Sequence, residues 1–293
     1  MIFKDCLIIS VLYSYTEKDN RTQHRIKRRS DIDLKRRITM NTVLEVKDLC
    51  KTYVVNKRQN NVLCNLDLTV NEGEMVAVMG PSGSGKSTLL YTVSGMDKMT
   101  AGSVKFCGRD MADMKENELA EMRLDDMGFI FQQMYMMKNL TVLDNIILPA
   151  VKSKRTKESR KDTVKRGQEL MKKLGIIETA NNDINEVSGG QLQRACICRS
   201  MIMKPEIIFA DEPTGALNRT AAAEVMDAFL RINKEGATIM MVTHDSHIAS
   251  MCERVLYLLD GEIKGELELG KNTSGDDRER EQKTVHWLES MGW

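Results

Sequence analysis

Hydrophobic residues in this chain fall into short runs of two kinds, and their order predicts a mixed α/β architecture. From Thr42 the segments "VLEVKDLCKTYVV" and "NVLCNLDLTV" alternate apolar and polar side chains, as antiparallel strands with one wet face do. "EMVAVMG" at 74–80 is nearly continuous and predicts a buried parallel strand, and "EIIFADE" at 206–212 and "TIMMVTHD" at 238–245 repeat that pattern. "STLLYTVSGM" and "AAAEVMDAFLRINKEG" carry helical spacing, whereas "GSVKFCG" looks like a strand. Residues 111–126 and 155–175 are charged with a helical period. In the second, Val164, Gly167, Met171 and Leu174 make a narrow apolar stripe, and the lysines and arginines form a solvated face. Strand alternating with helix predicts a parallel sheet with helices on its faces. Past Gly270 the chain is charged and then closes on "TVHWLESMGW", an amphipathic helix expected to dock on this chain or a neighbour.

Charge argues against one class of partner. The 293 residues hold 43 Lys and Arg against 42 Asp and Glu, a net +1, so no nucleic-acid or polyanion partner is expected. Residues 1–39 are the exception, with ten Lys and Arg against five Asp and Glu and no regular period. They read as a disordered basic leader or as sequence ahead of a start at Met40; a membrane-surface or partner-binding arm is the alternative. The main domain then spans 43–270, and a charged tail with a terminal helix spans 271–293. Seven cysteines, an odd number without framework spacing, fit reduced thiols in a cytoplasmic protein. On a helix Cys196 and Cys198 point about 200° apart, which favours buried small hydrophobes over a shared metal. No apolar run reaches the roughly 18 residues of a membrane-spanning helix, and "CLIISVLY" is too short and lacks a cleavage site for a signal peptide.

The chemistry starts at "GPSGSGKST". Gly80, Pro81, Ser82, Gly83, Ser84, Gly85, Lys86, Ser87 and Thr88 follow a buried strand and open a helix, the context a phosphate-binding loop requires. Its glycines let backbone N–H groups converge on a phosphate, Lys86 bridges β- and γ-phosphates, and the Ser87 hydroxyl ligates Mg2+. "IIFADEPTG" places Asp211 and Glu212 at the carboxyl end of a strand, where open parallel sheets bind ligands. There Asp211 holds Mg2+ and Glu212 polarises the attacking water. His244 ends the strand of "MMVTHD" near the same edge, within reach of a γ-phosphate or its water; His247 carries no such argument. Gln132 follows the strand "GFIF" and offers an amide to Mg2+ or water. Met134, Tyr135, Met136 and Met137 beyond it form an adaptable apolar cluster, either core or docking surface. Tyr53 either packs or stacks on a base. "VSGGQLQR" then supplies a second glycine pair at a helix start, again suited to an anion.

As a set these residues resemble the ATP-binding subunits of ATP-binding cassette transporters. The resemblance covers roughly 43–265 and rests on the order Tyr53, Gly80–Thr88, Gln132, "SGGQ" at Ser188–Gln191, "FADE" at 209–212 and His244. It implies a P-loop NTPase with a parallel-sheet core, an antiparallel β subdomain and an inserted α-helical subdomain. It implies ATP with Mg2+ bound between two copies packed head to tail. Ser188, Gly189, Gly190 and Gln191 then face the ATP held by the phosphate loop of the opposite copy, and Tyr53 serves the adenine. It also implies a separate membrane permease and a place on the cytoplasmic face of the membrane, with the Met-rich segment toward the permease. Two positions depart from the pattern: Val187 replaces a leucine, and Asn218 replaces an aspartate that couples the two sites. "GFIFQQ", "DEPTGAL" and "MVTHD" are similar to the branch exporting macrolides, lipoproteins and antimicrobial peptides such as bacitracin. Lipoprotein-release, cell-division, sensing and non-transport cassettes are the alternatives.

Overall fold

The computed structural model describes residues 42–55, 57–272 and 277–293; the leader expected over 1–39 lies outside the described residues. Strands β1 (Thr42–Val55) and β2 (Arg58–Asn71) are the two alternating segments, and they pair antiparallel. The fully buried β3 (Met75–Met79) runs into α1 (Lys86–Val93), followed by β4 (Ala101–Phe106) and β5 (Arg109–Asp110). Helix α2 (Glu116–Asp126) leads directly into β6 (Met127–Phe131). Three helices then pack together: α3 (Val142–Lys152), α4 (Arg160–Lys173) and α5 (Gly189–Met201). The chain finishes with β7 (Ile207–Asp211), α6 (Arg219–Lys234), β8 (Ile239–Val242), α7 (Ser246–Ser250), β9 (Arg254–Leu259), β10 (Glu262–Glu268) and α8 (Asp277–Ser290).

Two sheets result. One is antiparallel in the order β2-β1-β4-β5, and the other runs β10-β9-β3-β8-β7-β6, parallel except for β10. The nearly continuous apolar strands earn their place because successive side chains serve two different cores. Met75, Ala77, Met79, Ile208, Ala210, Ile239 and Met241 point to the core under α3, α5 and α6. Val76, Val78, Ile207, Phe209, Met240 and Val242 point to the core between the sheets and α1. Each large side chain buried there contributes about 1.5–3 kcal/mol. The parallel arrangement brings the carboxyl ends of β3, β6, β7 and β8 to one edge, where the candidate residues sit.

Local chemistry sets the boundaries. Residues 111–126 begin as a turn, with Asp110 Oδ1 accepting from Ala112 N at 3.0 Å, and the helix starts only at Glu116. Helix α4 starts at Arg160 because Ser159 Oγ accepts from Asp162 N at 3.2 Å and caps it. Cys196 and Cys198 are both 0% exposed in α5, and burial raises both thiols above the usual range. Among the described residues no group of three His, Cys, Asp or Glu side chains is placed to hold a metal. The terminal helix docks on its own chain. Buried Arg280 donates to the carbonyls of Ser250, Cys252, Leu269 and Gly270, and Trp287 closes on Tyr257 and on Gly265, which has no Cβ to obstruct it. Among the described residues no helix is long and apolar enough to cross a membrane.

Candidate functional site

The loop Gly80–Thr88 leaves the buried end of β3 and enters α1. A Cβ on Gly80 would collide with the Leu258 carbonyl oxygen, and Gly85 adopts φ +102°, so both positions need glycine. Lys86 folds back over the loop, its Nζ donating to Gly80 O at 2.7 Å and Pro81 O at 2.8 Å. Burial lowers the Lys86 pKa from its ordinary value, while the charges of Glu212 and Asp211 pull it back up. Ser84 Oγ is buried without a hydrogen-bond partner, an orphan that a phosphate oxygen would satisfy.

Across the loop stands Asp211, the last residue of β7 and 9% exposed. Ser87 Oγ donates to its Oδ1 at 3.0 Å and the Tyr91 hydroxyl to its Oδ2 at 2.9 Å. Ser87 and Asp211 thus offer only oxygen donors, matching the preference of a hard cation such as Mg2+. Glu212 follows in a left-handed conformation, φ +47°, a strained geometry for a residue with a side chain. Its Oε2 lies 3.2 Å from His244 Nδ1. A Cβ on Gly215 would stand 3.1 Å from Gln132 Nε2 and 3.2 Å from Glu212 Oε2, so these two side chains converge over a bare backbone. Gly215→Ala is therefore expected to push both aside and, if the resemblance to ATP-binding subunits holds, to lower ATP hydrolysis about tenfold with ATP binding retained. Steady-state phosphate release beside equilibrium nucleotide binding checks this.

Tyr53 is half-buried beside the loop. Its hydroxyl donates to Asp97 Oδ2 at 2.5 Å, Lys51 Nζ donates to Asp97 Oδ1 at 2.6 Å, and Lys51 Nζ also lies 4.6 Å from the Tyr53 ring centroid. Burial, and then the Asp97 carboxylate, push the Tyr53 phenol up to about 12, against a smaller opposite pull from the Thr88 hydroxyl.

The second glycine pair sits elsewhere. Ser188 caps α5, its Oγ accepting from Gln191 N at 3.3 Å while Gln191 Oε1 accepts from Ser188 N at 2.9 Å. Ser188 and Gly189 are exposed, and the glycines pack on Leu217, Met134 and Ala221 rather than on the phosphate loop. Asn218 caps α6 by accepting from Ala221 N at 2.9 Å, and Val187 packs half-buried on the core.

Between these groups the segment after Gln132 is clamped. Arg199 donates to Met134 O at 2.8 Å and Tyr135 O at 2.9 Å, and Asn145 grips Met137 through both its N–H and its carbonyl. Met134 and Met136 pack on the core, whereas Met137 is exposed. A cavity of about 490 Å³ opens beside Glu212 and His244 and reaches Glu281 of α8, which pairs with His247 at 3.1 Å. The sequence patterns did not single out Tyr91, Gly215, Lys51, Asp97, Arg199 or Asn145. Only Tyr91 carried a signal, lying one helical turn past Ser87.

Comparison with known proteins gives a consistent picture. A family model described as "ABC transporter" matches residues 63–215. The bacitracin export ATP-binding protein BceA of Halalkalibacterium halodurans is 43% identical over 229 residues, 78% of this chain and 89% of its own length. The macrolide export ATP-binding/permease protein MacB of Chlorobium phaeobacteroides is 38% identical over 242 residues, 81% of this chain but only 36% of that longer relative. MJ0796, an uncharacterized ABC transporter ATP-binding protein of Methanocaldococcus jannaschii, has a solved dimeric structure that superimposes with a TM-score of 0.72 at 38% identity, covering 78% of this chain and all of that one. A second structure of that cassette, in a post-hydrolysis state with ADP and Pi, gives the same figures.

Proposed function

This chain belongs to the ABC transporter family, and on that premise we propose that it closes on a second copy of itself around ATP and drives a separate membrane permease. It binds and hydrolyses ATP. The observation that carries the site assignment is the convergence of Ser87, Asp211, Glu212 and His244 at the mouth of the phosphate loop. The loop N–H groups and Lys86 take the phosphates, for which Lys86 Nζ exchanges the carbonyls of Gly80 and Pro81 for phosphate oxygens. Ser87, Asp211 and Gln132 are the residues that would hold Mg2+. When bound, that ion would supply positive charge to offset the charge of the phosphates.

Glu212 accepts a proton from the attacking water, and the strained backbone aims its carboxylate at that task. His244, in contact with Glu212, orients it. The Tyr53 ring, fixed through its hydroxyl, supports the adenine. Ser188, Gly189, Gly190 and Gln191 serve the ATP of the other copy, because this exposed helix N-terminus is turned away from its own loop. Isologous pairing then makes two equal sites.

The likeness to BceA supports a cargo of antimicrobial peptides or related amphiphiles, exported or removed by a permease that holds this subunit on the cytoplasmic face of the membrane. In MacB the ATP-binding and permease parts share one longer protein, which fits such a partnership. The Met134–Met137 segment is the permease-facing surface, with Met137 its exposed member. Met137→Glu is expected to hold the ATPase rate of the isolated subunit within about twofold while abolishing peptide resistance in cells that carry the permease. Retained resistance would remove this segment from the interface.

A further inference from the structure

Helix α1 presents two hydroxyls to Asp211, one from Ser87 and one from Tyr91. These residues are four apart and so lie one above the other on a single helix face. Each takes a different carboxylate oxygen: Ser87 Oγ to Oδ1 at 3.0 Å, Tyr91 Oη to Oδ2 at 2.9 Å. The Tyr91 ring is itself held in place. Its centroid lies 6.3 Å from that of Phe131, which meets Tyr135 edge-on at 5.6 Å and stacks on Phe129 at 6.2 Å. Phe131 immediately precedes Gln132, the other side chain assigned to Mg2+. One aromatic residue thus touches both the carboxylate and the strand that delivers the amide.

We propose that Tyr91 is a positioning residue that fixes the Asp211 carboxylate for Mg2+, working through its hydroxyl and a ring locked against Phe131. This rests on the assignment of Asp211 as a Mg2+-holding residue. The division of labour follows from geometry. Ser87 sits at the loop, so its hydroxyl serves both Asp211 and the cation, whereas Tyr91 lies one turn deeper and can serve only the carboxylate. Without the Tyr91 hydroxyl, Oδ2 loses a donor that helps set the carboxylate plane, and the carboxylate is held less tightly in the orientation offered to the cation. Partners of this kind behind a metal ligand typically change metal affinity about 10–100-fold.

The test is the affinity of the full chain for a fluorescent, non-hydrolysable ATP analogue, measured with Mg2+ and again with EDTA. The ratio of the two isolates the part of binding that the cation supplies. Tyr91→Phe keeps the ring and removes one oxygen; it is expected to reduce that ratio about tenfold with the EDTA affinity unchanged within about twofold. Tyr91→Leu, which also loses the ring, is expected to reduce it at least as far. Asp211→Asn is the reference and is expected to abolish the Mg2+-dependent gain. An unchanged ratio in Tyr91→Phe beside a lost gain in Asp211→Asn overturns the role of Tyr91 alone. A gain that survives Asp211→Asn overturns the assignment beneath it, and equal losses with Mg2+ and EDTA reduce Tyr91 to a packing residue.

Discussion

Glu212→Gln is expected to slow ATP turnover by at least about a hundredfold while ATP binding persists and the two copies stay closed around it. The size of the effect follows from what changes and what does not. Glutamine has nearly the same shape, so the φ +47° backbone, the contact with His244 and the clearance over Gly215 are kept. An amide, however, takes no proton from water at neutral pH, which removes the base outright. The substitution also deletes one negative charge beside the γ-phosphate, lowering repulsion in the bound state. Phosphate release in the steady state, together with light scattering in the presence of ATP, reads both halves of the expectation. Sustained wild-type turnover would remove Glu212 from the role of base.

The next largest effects are expected from Lys86→Ala and Ser188→Arg, and they differ in kind. Lys86 Nζ is buried among its own loop carbonyls and is poised to transfer two charge-assisted hydrogen bonds to phosphate. Each such bond contributes about 1.5–3 kcal/mol, so its loss is expected to weaken ATP binding a hundredfold or more. Ser188 lies at an exposed cap away from that loop. Ser188→Arg removes the cap, at a cost of about 1 kcal/mol, and withdraws the serine hydroxyl from the phosphate held by the opposite copy. ATP binding by the variant's own loop is expected to survive, while hydrolysis is lost at each site that its Ser188–Gln191 segment would complete. Nucleotide binding by isolated variants, compared with their ATPase rates, separates the two failures.

Much of this fold is legible in the chain because local and global signals agree. The alternation in β1 and β2, the unbroken apolar runs of β3, β7 and β8, and the glycine loop at 80–88 each name their own structure. Helix α3 is harder to read: Thr141 caps it, but its buried face is filled only when α4 and α5 close over it. The hairpin of β9 and β10 is marked chiefly by Asp260 and Gly261, both with positive φ, because β10 exposes every second residue at the sheet edge. Among the site residues, those that offer an oxygen or nitrogen directly to a phosphate stand in dense motifs. Those that act through another side chain do not. Asp97 and Lys51 reach Tyr53 from separate elements, and Gly215 matters only because Gln132 and Glu212 meet above it. Asn218 shows the converse. As a departure from the family pattern it suggests altered communication, yet its side chain performs the helix-capping that an aspartate would also perform.

In the proposed pairing neither glycine loop completes a site within its own chain. Mixing Lys86→Ala and Ser188→Arg subunits tests this directly. If sites are shared, each mixed dimer joins an intact phosphate loop from one copy to an intact Ser188–Gln191 segment from the other. An equal mixture is then expected to recover about a quarter of wild-type ATPase activity, since half the dimers are mixed and each holds one intact site of two. Activity no greater than the sum of the separate variants would return each site to a single chain.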